Sequence, residues 1–399
     1  MEKIRVALMI FSKSMGGAEA VVLKIIALID HDQFDVFLIT NDEIMDFFIP
    51  YLKKDHIYSI GRIFLLSNNT FINKVIYKLC IWGNINIQKL LIDRKLIKLV
   101  KYIQRNNFII IHSNLELDMY MLSKAKKYLR NQEKIIFTMH SSLSLADKDI
   151  PFCTLKKNIL VDALKVYDYY TSACHYFVKL LKSHLAIQNK YEIIENGIDF
   201  NFINALLQKP MQNKKEIVQM IFLGGERFLK GPDILLKALN ILVNQFQIRS
   251  IHLNILRDLS NNSLVFKLAR EFNIEQFISY VGYVPFPKHL EYIHYSDIFI
   301  LPSRTEGIAN SLMEAIGLEK AIVATNVGGT GEIVIDGQNG LLSTTDPFQL
   351  ATNLKQLIIN KYLQTLFSRN NKEIKTRFDW NIIIKKYEKL YKKGKNNEF

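Results

Sequence analysis

At 399 residues the chain exceeds what one hydrophobic core usually supports, so two domains are expected, and 49% hydrophobic with 23% charged residues excludes a long disordered or low-complexity tract. The formal charge of +14 is uneven, with 16 Lys and Arg against five acids in residues 51–140 but two against six in residues 301–350. No nucleic-acid motif accompanies the basic stretch, so no nucleic-acid partner is expected.

In chain order, the first apolar run, Arg5 to Phe11, reads as a buried strand rather than a leader, because polar and glycine-rich residues follow it at once. The loop Ser14-Met15-Gly16-Gly17-Ala18-Glu19 then opens a helix. Paired glycines at a helix start let backbone amides approach an anion, so Gly16 and Gly17 are candidates for phosphate contact. Further short strands are predicted over Asp35 to Thr40, Phe108 to His112 and Lys134 to Met139, separated by helical patterns. Between them, Phe71 to Arg105 interleaves lysines with Ile, Leu, Tyr and Trp, a composition suited to docking on an anionic membrane surface.

The polar run Gln208 to Glu216 reads as a linker. Beyond it the strand pattern begins again over Ile217 to Leu223, Ser250 to Leu256, Ile278 to Tyr280, Ile298 to Leu301 and Ala321 to Ala324, with helices over Asp233 to Phe246 and Ser311 to Leu318. The class is therefore α/β, in two doubly wound halves. The expected domains are 1–208, 209–380 and a basic helix or tail, 381–399. No stretch reaches the length of a membrane-spanning helix. Cys80, Cys153 and Cys174 form no close-spaced pair, so neither a disulfide framework nor a zinc site is predicted, and a reducing, cytoplasmic setting is expected.

Two loops of the second half carry chemistry. In Phe222 to Asp233, Gly225, Arg227 and Lys230 lie between a strand and a helix, where two cations three residues apart suit a diphosphate. In Pro302 to Ala315, Glu306 stands in a loop and Glu314 in the following helix, placed to reach opposite ends of one nucleotide sugar. The amides of Gly307, Ile308, Ala309 and Asn310 can serve a sugar or phosphate.

Taken jointly, GGAE at 16–19, IENGID at 194–199, R-x-x-K-G at 227–231, E-x7-E at 306–314 and VGGTGEIVIDGQNGLL at 327–342 resemble glycosyltransferase family four, of the bacterial surface-polysaccharide type. The resemblance covers residues 4 to 355. It implies the GT-B fold, two Rossmann-like domains whose parallel sheets face across a cleft, with acceptor binding in the first and donor binding in the second. It also implies a retaining, metal-independent hexosyl transfer from a nucleotide-diphosphate sugar, expected to be a UDP-sugar, with no cofactor. Carried over residue by residue, Arg227 and Lys230 grip the diphosphate, Glu314 binds the ribose hydroxyls, and Glu306 lies beside the donor sugar as an orienting group. Gly16 and Gly17 approach the phosphates, and His140, after the strand ending at Met139, touches the donor sugar near the acceptor.

The acceptor is expected to be a glycan hydroxyl, lipid-linked, used in capsule, O-antigen or lipopolysaccharide assembly at the inner face of the cell membrane. The rivals are a nucleotide-sugar epimerase of similar fold and a catalytically silent sugar-nucleotide binding protein. His252 to Asp258 departs from the family's usual glycine-rich turn, which bears on base recognition.

Overall fold

The computed structural model describes residues 2–62, 87–130, 132–140, 157–186, 190–210, 217–257, 259–260 and 263–399. Of the basic segment predicted to meet a membrane, residues 71–86 lie outside them; the rest belongs to the helix Ile87–Asn106. No helix among the described residues is long and apolar enough to cross a membrane.

The chain forms two compact units. The first comprises Met1–Ser172, Val178–Ile194 and Ile384–Phe399, and the second Ala173–Phe177 and Glu195–Ile383. In the first, the strands β1 (Ile4–Met9), β2 (Phe34–Thr40), β3 (Ile57–Ser59), β4 (Ile110–Ser113), β5 (Lys134–Met139), β6 (Tyr169–Ser172) and β7 (Tyr191–Ile193) form one sheet in the order β3-β2-β1-β4-β5-β6-β7. Every pair is parallel. In the second, β8 (Val218–Phe222), β9 (Ile251–Leu256), β10 (Ile278–Gly282), β11 (Ile298–Leu301), β12 (Ala321–Thr325) and β13 (Leu341–Ser343) run in the order β10-β9-β8-β11-β12-β13, again all parallel. Both sheets grow outward from a central first strand, the doubly wound order.

Helices on both faces explain why the central strands read as unbroken apolar runs. Every residue of β11 and of β12 is buried. The helix expected over Asp233 to Phe246 is Pro232–Asn240 continued by a π turn, Ile241–Gln245, and it buries Ile234, Leu235, Leu236, Ala238 and Leu239 against the sheet. The strands not anticipated, β3, β6, β7 and β13, have three or four residues each, too few to show a period.

The units divide the chain elsewhere than at 208/209. The helix Phe200–Leu207 buries Ile203 and Leu206 within the second unit, where Gly317 is packed against Ile198 and Ile203. An apolar stripe goes wherever it finds a core; residues 211–216 of the expected linker lie outside the described residues. At the other end, the expected tail is the helix Trp380–Lys395. Its stripe Ile383, Ile384, Tyr387, Leu390 and Tyr391 is buried, at the spacing of one helix face. Six lysines lie outside that stripe; Lys393 pairs with Glu192 at 3.0 Å and Lys385 with Glu388 at 2.8 Å.

Candidate active site

The second unit gathers its motifs around one loop, Pro302 to Gly307, at the carboxyl end of β11. Gly231 lies in the left-handed region with φ +67°, and a Cβ there would stand 2.0 Å from the Pro302 carbonyl oxygen. Gly328 (φ +57°) would place a Cβ 1.7 Å from the Glu306 carbonyl oxygen. Only glycine permits both the dihedral and the approach. The amide of Gly329 donates to the Gly307 carbonyl at 3.1 Å. From the IENGID segment, Asn196 donates through Nδ2 to the Ile308 carbonyl (2.9 Å) and to Asn310 Oδ1 (2.8 Å). Gly197 beside it leaves room for the Trp380 ring, which a Cβ would meet at 2.5 Å. Motifs far apart in sequence thus grip one short backbone.

Two predicted residues meet inside this frame. Lys230 Nζ donates to Glu306 Oε1 at 2.5 Å, and Ser303 Oγ donates to the same oxygen at 2.7 Å. The Glu306 side chain is 9% exposed and Lys230 27%, so the pair is sheltered yet open to a ligand on one side. A carboxylate oxygen held by an ammonium and a hydroxyl is poorly disposed to act as a nucleophile, and suits electrostatic orientation of a neighbour. Glu314, in the helix Asn310–Gly317, accepts from or pairs with His289 Nε2 at 3.0 Å, both side chains being part-buried. Ile308 and Ala309 are buried, and no side chain caps this helix start.

Arg227 is exposed at the start of the turn Phe228–Lys230, apart from the Lys230–Glu306 pair. Gly225 (φ +56°) donates its amide to the Leu256 carbonyl at 3.1 Å and so shapes the loop. Sequence reasoning missed Arg304, which makes two hydrogen bonds to Asp233 at 2.8 and 2.6 Å and lies 3.9 Å from the Phe228 ring centroid. Burial alone would raise the Asp233 carboxyl, but the hydrogen bond and charge of Arg304 outweigh it and hold the group below its ordinary range. This bridge ties the Pro302–Gly307 loop to the cationic one; the acid three residues after Lys230 was the available signal. His289 was also missed, because it lies 25 residues from Glu314 on a helix without a motif.

In the segment that departs from the usual glycine-rich turn, Arg257 has φ +92° and donates its amide to the Gly282 carbonyl at 2.7 Å. A non-glycine residue here carries backbone strain.

Gly16, Gly17 and His140 belong to the first unit. Gly16 stands before the helix Gly17–Leu28 in an ordinary extended conformation (φ −141°), and a Cβ there would meet Glu19 Oε2 at 2.8 Å. His140 follows β5, and its Nε2 lies 3.2 Å from Oδ1 of Asn114, the residue following β4. Burial pushes the imidazole down to about 4. Beneath it, His112 is fully buried, hydrogen-bonded through Nδ1 to Tyr391 Oη at 2.9 Å and through Nε2 to Thr138 Oγ1, and burial lowers it to about 3. Asp118 accepts the backbone amides of Asn114 and Leu115. Burial drives its carboxyl up to about 8 against those hydrogen bonds. Among the described residues no three His, Cys, Asp or Glu side chains converge as metal ligands.

The family described as glycosyl transferases group 1 matches residues 206–374. An uncharacterized glycosyltransferase of Methanocaldococcus jannaschii is 28% identical over 219 residues, 53% of this chain and 57% of the relative. The capsular polysaccharide biosynthesis glycosyltransferase CapM of Staphylococcus aureus is 24% identical over 230 residues, 53% and 58% of the two chains. The chain spans about half the length of the curated relatives it matches. Among solved structures, HepE of Anabaena in complex with UDP superposes with TM-score 0.72 at 15% identity, covering 97% of this chain and 99% of that one. The lipopolysaccharide outer core galactosyltransferase WaaB superposes with TM-score 0.71 at 14% identity, covering 99% and 100%. At such identities the likeness speaks for fold alone, and the fold is GT-B. Residues 206–374 therefore match the glycosyl transferases group 1 family, in a chain whose fold is GT-B.

Proposed function

We propose that the protein is a retaining glycosyltransferase that moves a hexosyl group from a uridine diphosphate sugar to a hydroxyl of a glycan acceptor, lipid-linked, in the assembly of a cell-surface polysaccharide. The observation that carries this reading is the frame around Pro302 to Gly307, where three glycine-bearing segments converge on the Lys230–Glu306 pair at the carboxyl ends of parallel strands. A diphosphate entering there competes with Glu306 for the Lys230 ammonium. Arg227, exposed on the same loop, supplies a second cation. Charge accumulates on the leaving diphosphate as the bond from the anomeric carbon to the phosphate oxygen breaks, and fixed cations act there most strongly.

The acceptor oxygen attacks the anomeric carbon on the face the diphosphate leaves, and its proton passes to the departing phosphate. Glu306 orients the sugar and offsets positive charge on its ring, while Glu314, steadied by His289, holds the ribose hydroxyls. His140 hydrogen-bonds a substrate hydroxyl. The choice of UDP draws support from HepE, solved with UDP and with UDP-glucose. The surface-polysaccharide setting draws support from the names of CapM and WaaB. Attachment to the cytoplasmic face of a membrane rests on the interleaved lysines and apolar residues of Phe71 to Arg105.

A panel of uridine and guanosine diphosphate sugars, followed by saturation-transfer NMR with wild type and Arg227→Ala, tests the proposal. One donor is expected to bind wild type, to bind the variant at least about tenfold more weakly, and to turn over only when acceptor is added. Conversion of the donor without acceptor would instead indicate an epimerase, and absence of binding by every donor would sink the reading.

A further inference from the structure

We propose that Asn114 is a positioning residue that fixes His140 in one neutral tautomer, protonated on Nε2, so that Nδ1 is the acceptor offered to a substrate hydroxyl. The substrate half of this statement rests on the sugar transfer proposed above; the ring geometry does not.

Asn114 follows β4, which lies between β1 and β5, and its side chain is buried. Its Nδ2 donates to the Met9 carbonyl at the end of β1 (3.1 Å) and to the His112 carbonyl within β4 (3.2 Å). Carbonyl oxygens only accept, so the NH2 end of the amide must face them and Oδ1 must face away. That oxygen lies 3.2 Å from His140 Nε2. Since Oδ1 also only accepts, Nε2 is the nitrogen that carries the proton. A neutral imidazole holds one ring proton, which leaves Nδ1 as a lone-pair acceptor. The orientation of the ring therefore follows from two main-chain carbonyls on neighbouring strands, and a change at Asn114 reverses or frees it.

The charge state agrees with the geometry. Burial holds His140 neutral, and its partner is an uncharged amide. Among the described residues, the other titratable groups packed about the pair are His112, itself neutral through burial, and Asp118, whose carboxyl is turned to the backbone amides of Asn114 and Leu115. An aspartate at position 114 would change both conditions, placing an anion at the ring and favouring imidazolium.

Long-range 1H–15N correlation of the histidine rings, with His140 assigned by its disappearance in His140→Ala, reads the tautomer without any turnover. Wild type at neutral pH is expected to show the Nε2-protonated neutral pattern, persisting well below pH 6. Asn114→Asp is expected to raise the titration midpoint of His140 by more than one unit, and Asn114→Leu to give mixed tautomers. In transfer assays Asn114→Asp should lower kcat several-fold near neutrality with donor KM little changed, and part of the loss should return as pH rises. An Nδ1-protonated ring in wild type, or a midpoint unmoved in Asn114→Asp, would overturn the assignment; should that variant not fold, the wild-type spectrum decides alone. The expected ring in a protein that transfers no sugar would overturn the reaction and leave the geometry standing, whereas the opposite tautomer in an active enzyme would overturn the geometry only.

Discussion

The two units present their candidate residues by opposite means. In the second, charged side chains stand in loops and on the helices beside them: Lys230 against Glu306, Arg304 against Asp233, and Glu314 beside His289, with glycines allowing backbones to touch. In the first, the polar groups at the ends of β4 and β5 are buried and largely uncharged, with His140, Asn114, His112 and Thr138 linked by hydrogen bonds. A sheltered ion pair keeps charge ready for an anionic ligand, while a neutral network presents directed donors and acceptors without attracting phosphate. The two sheets share the doubly wound order, and the loops at their strand ends set the two kinds of polar site apart.

Three perturbations would break or sharpen this contrast. The largest effect is expected at the glycines. Gly328→Ala forces a side chain into the left-handed region and against the Glu306 carbonyl, and should cost about 3 kcal/mol or more together with loss of donor binding. Gly16→Ala meets only the end of a flexible glutamate at an ordinary φ and should cost about 1 kcal/mol or less. Denaturant midpoints for the two variants check this; equal losses would abolish the contrast.

An intermediate effect is expected from pH. His112, lowered to about 3 in the fold against 6.5 as its ordinary value, binds fewer protons folded than unfolded between those limits. Its contribution to stability is thus present above pH 6.5 and is lost as pH falls toward 3. His140, at about 4, acts in the same sense, while Asp118, raised to about 8, loses stability as pH rises from 3.8 through 8. Subtracting His112→Gln from wild type isolates the first term: the acid slope should flatten by one proton, about 1.4 kcal/mol per pH unit. An unchanged slope would show that the network is not held neutral.

The smallest effect concerns Arg257, whose φ of +92° a glycine would adopt freely. Arg257→Gly should be neutral to about 1 kcal/mol stabilising by thermal unfolding, although a glycine also adds entropy to the unfolded chain. A weaker donor affinity in that variant would mark the arginine as retained for the nucleotide, and a clear destabilisation would show that its side chain holds the loop.

By itself the sequence determined most of the architecture. Apolar runs of five or six residues alternating with helical patterns specify parallel strands with covered faces, since a buried strand must be apolar on both sides, and the central strands were legible within a residue or two. The cationic loop, Glu306, Glu314 and the glycines were legible as candidates because their motifs, weak singly, jointly resemble one family. Tertiary structure alone decided the rest. It assigned Phe200–Leu207 to the second unit and Ile384–Phe399 to the first, because apolar stripes choose their core by contact rather than by proximity in sequence. It joined Arg304 to Asp233, His289 to Glu314 and Asn114 to His140, pairs 71, 25 and 26 residues apart. Such partners leave no local period or motif, since what unites them is the meeting of strand ends and helices in space.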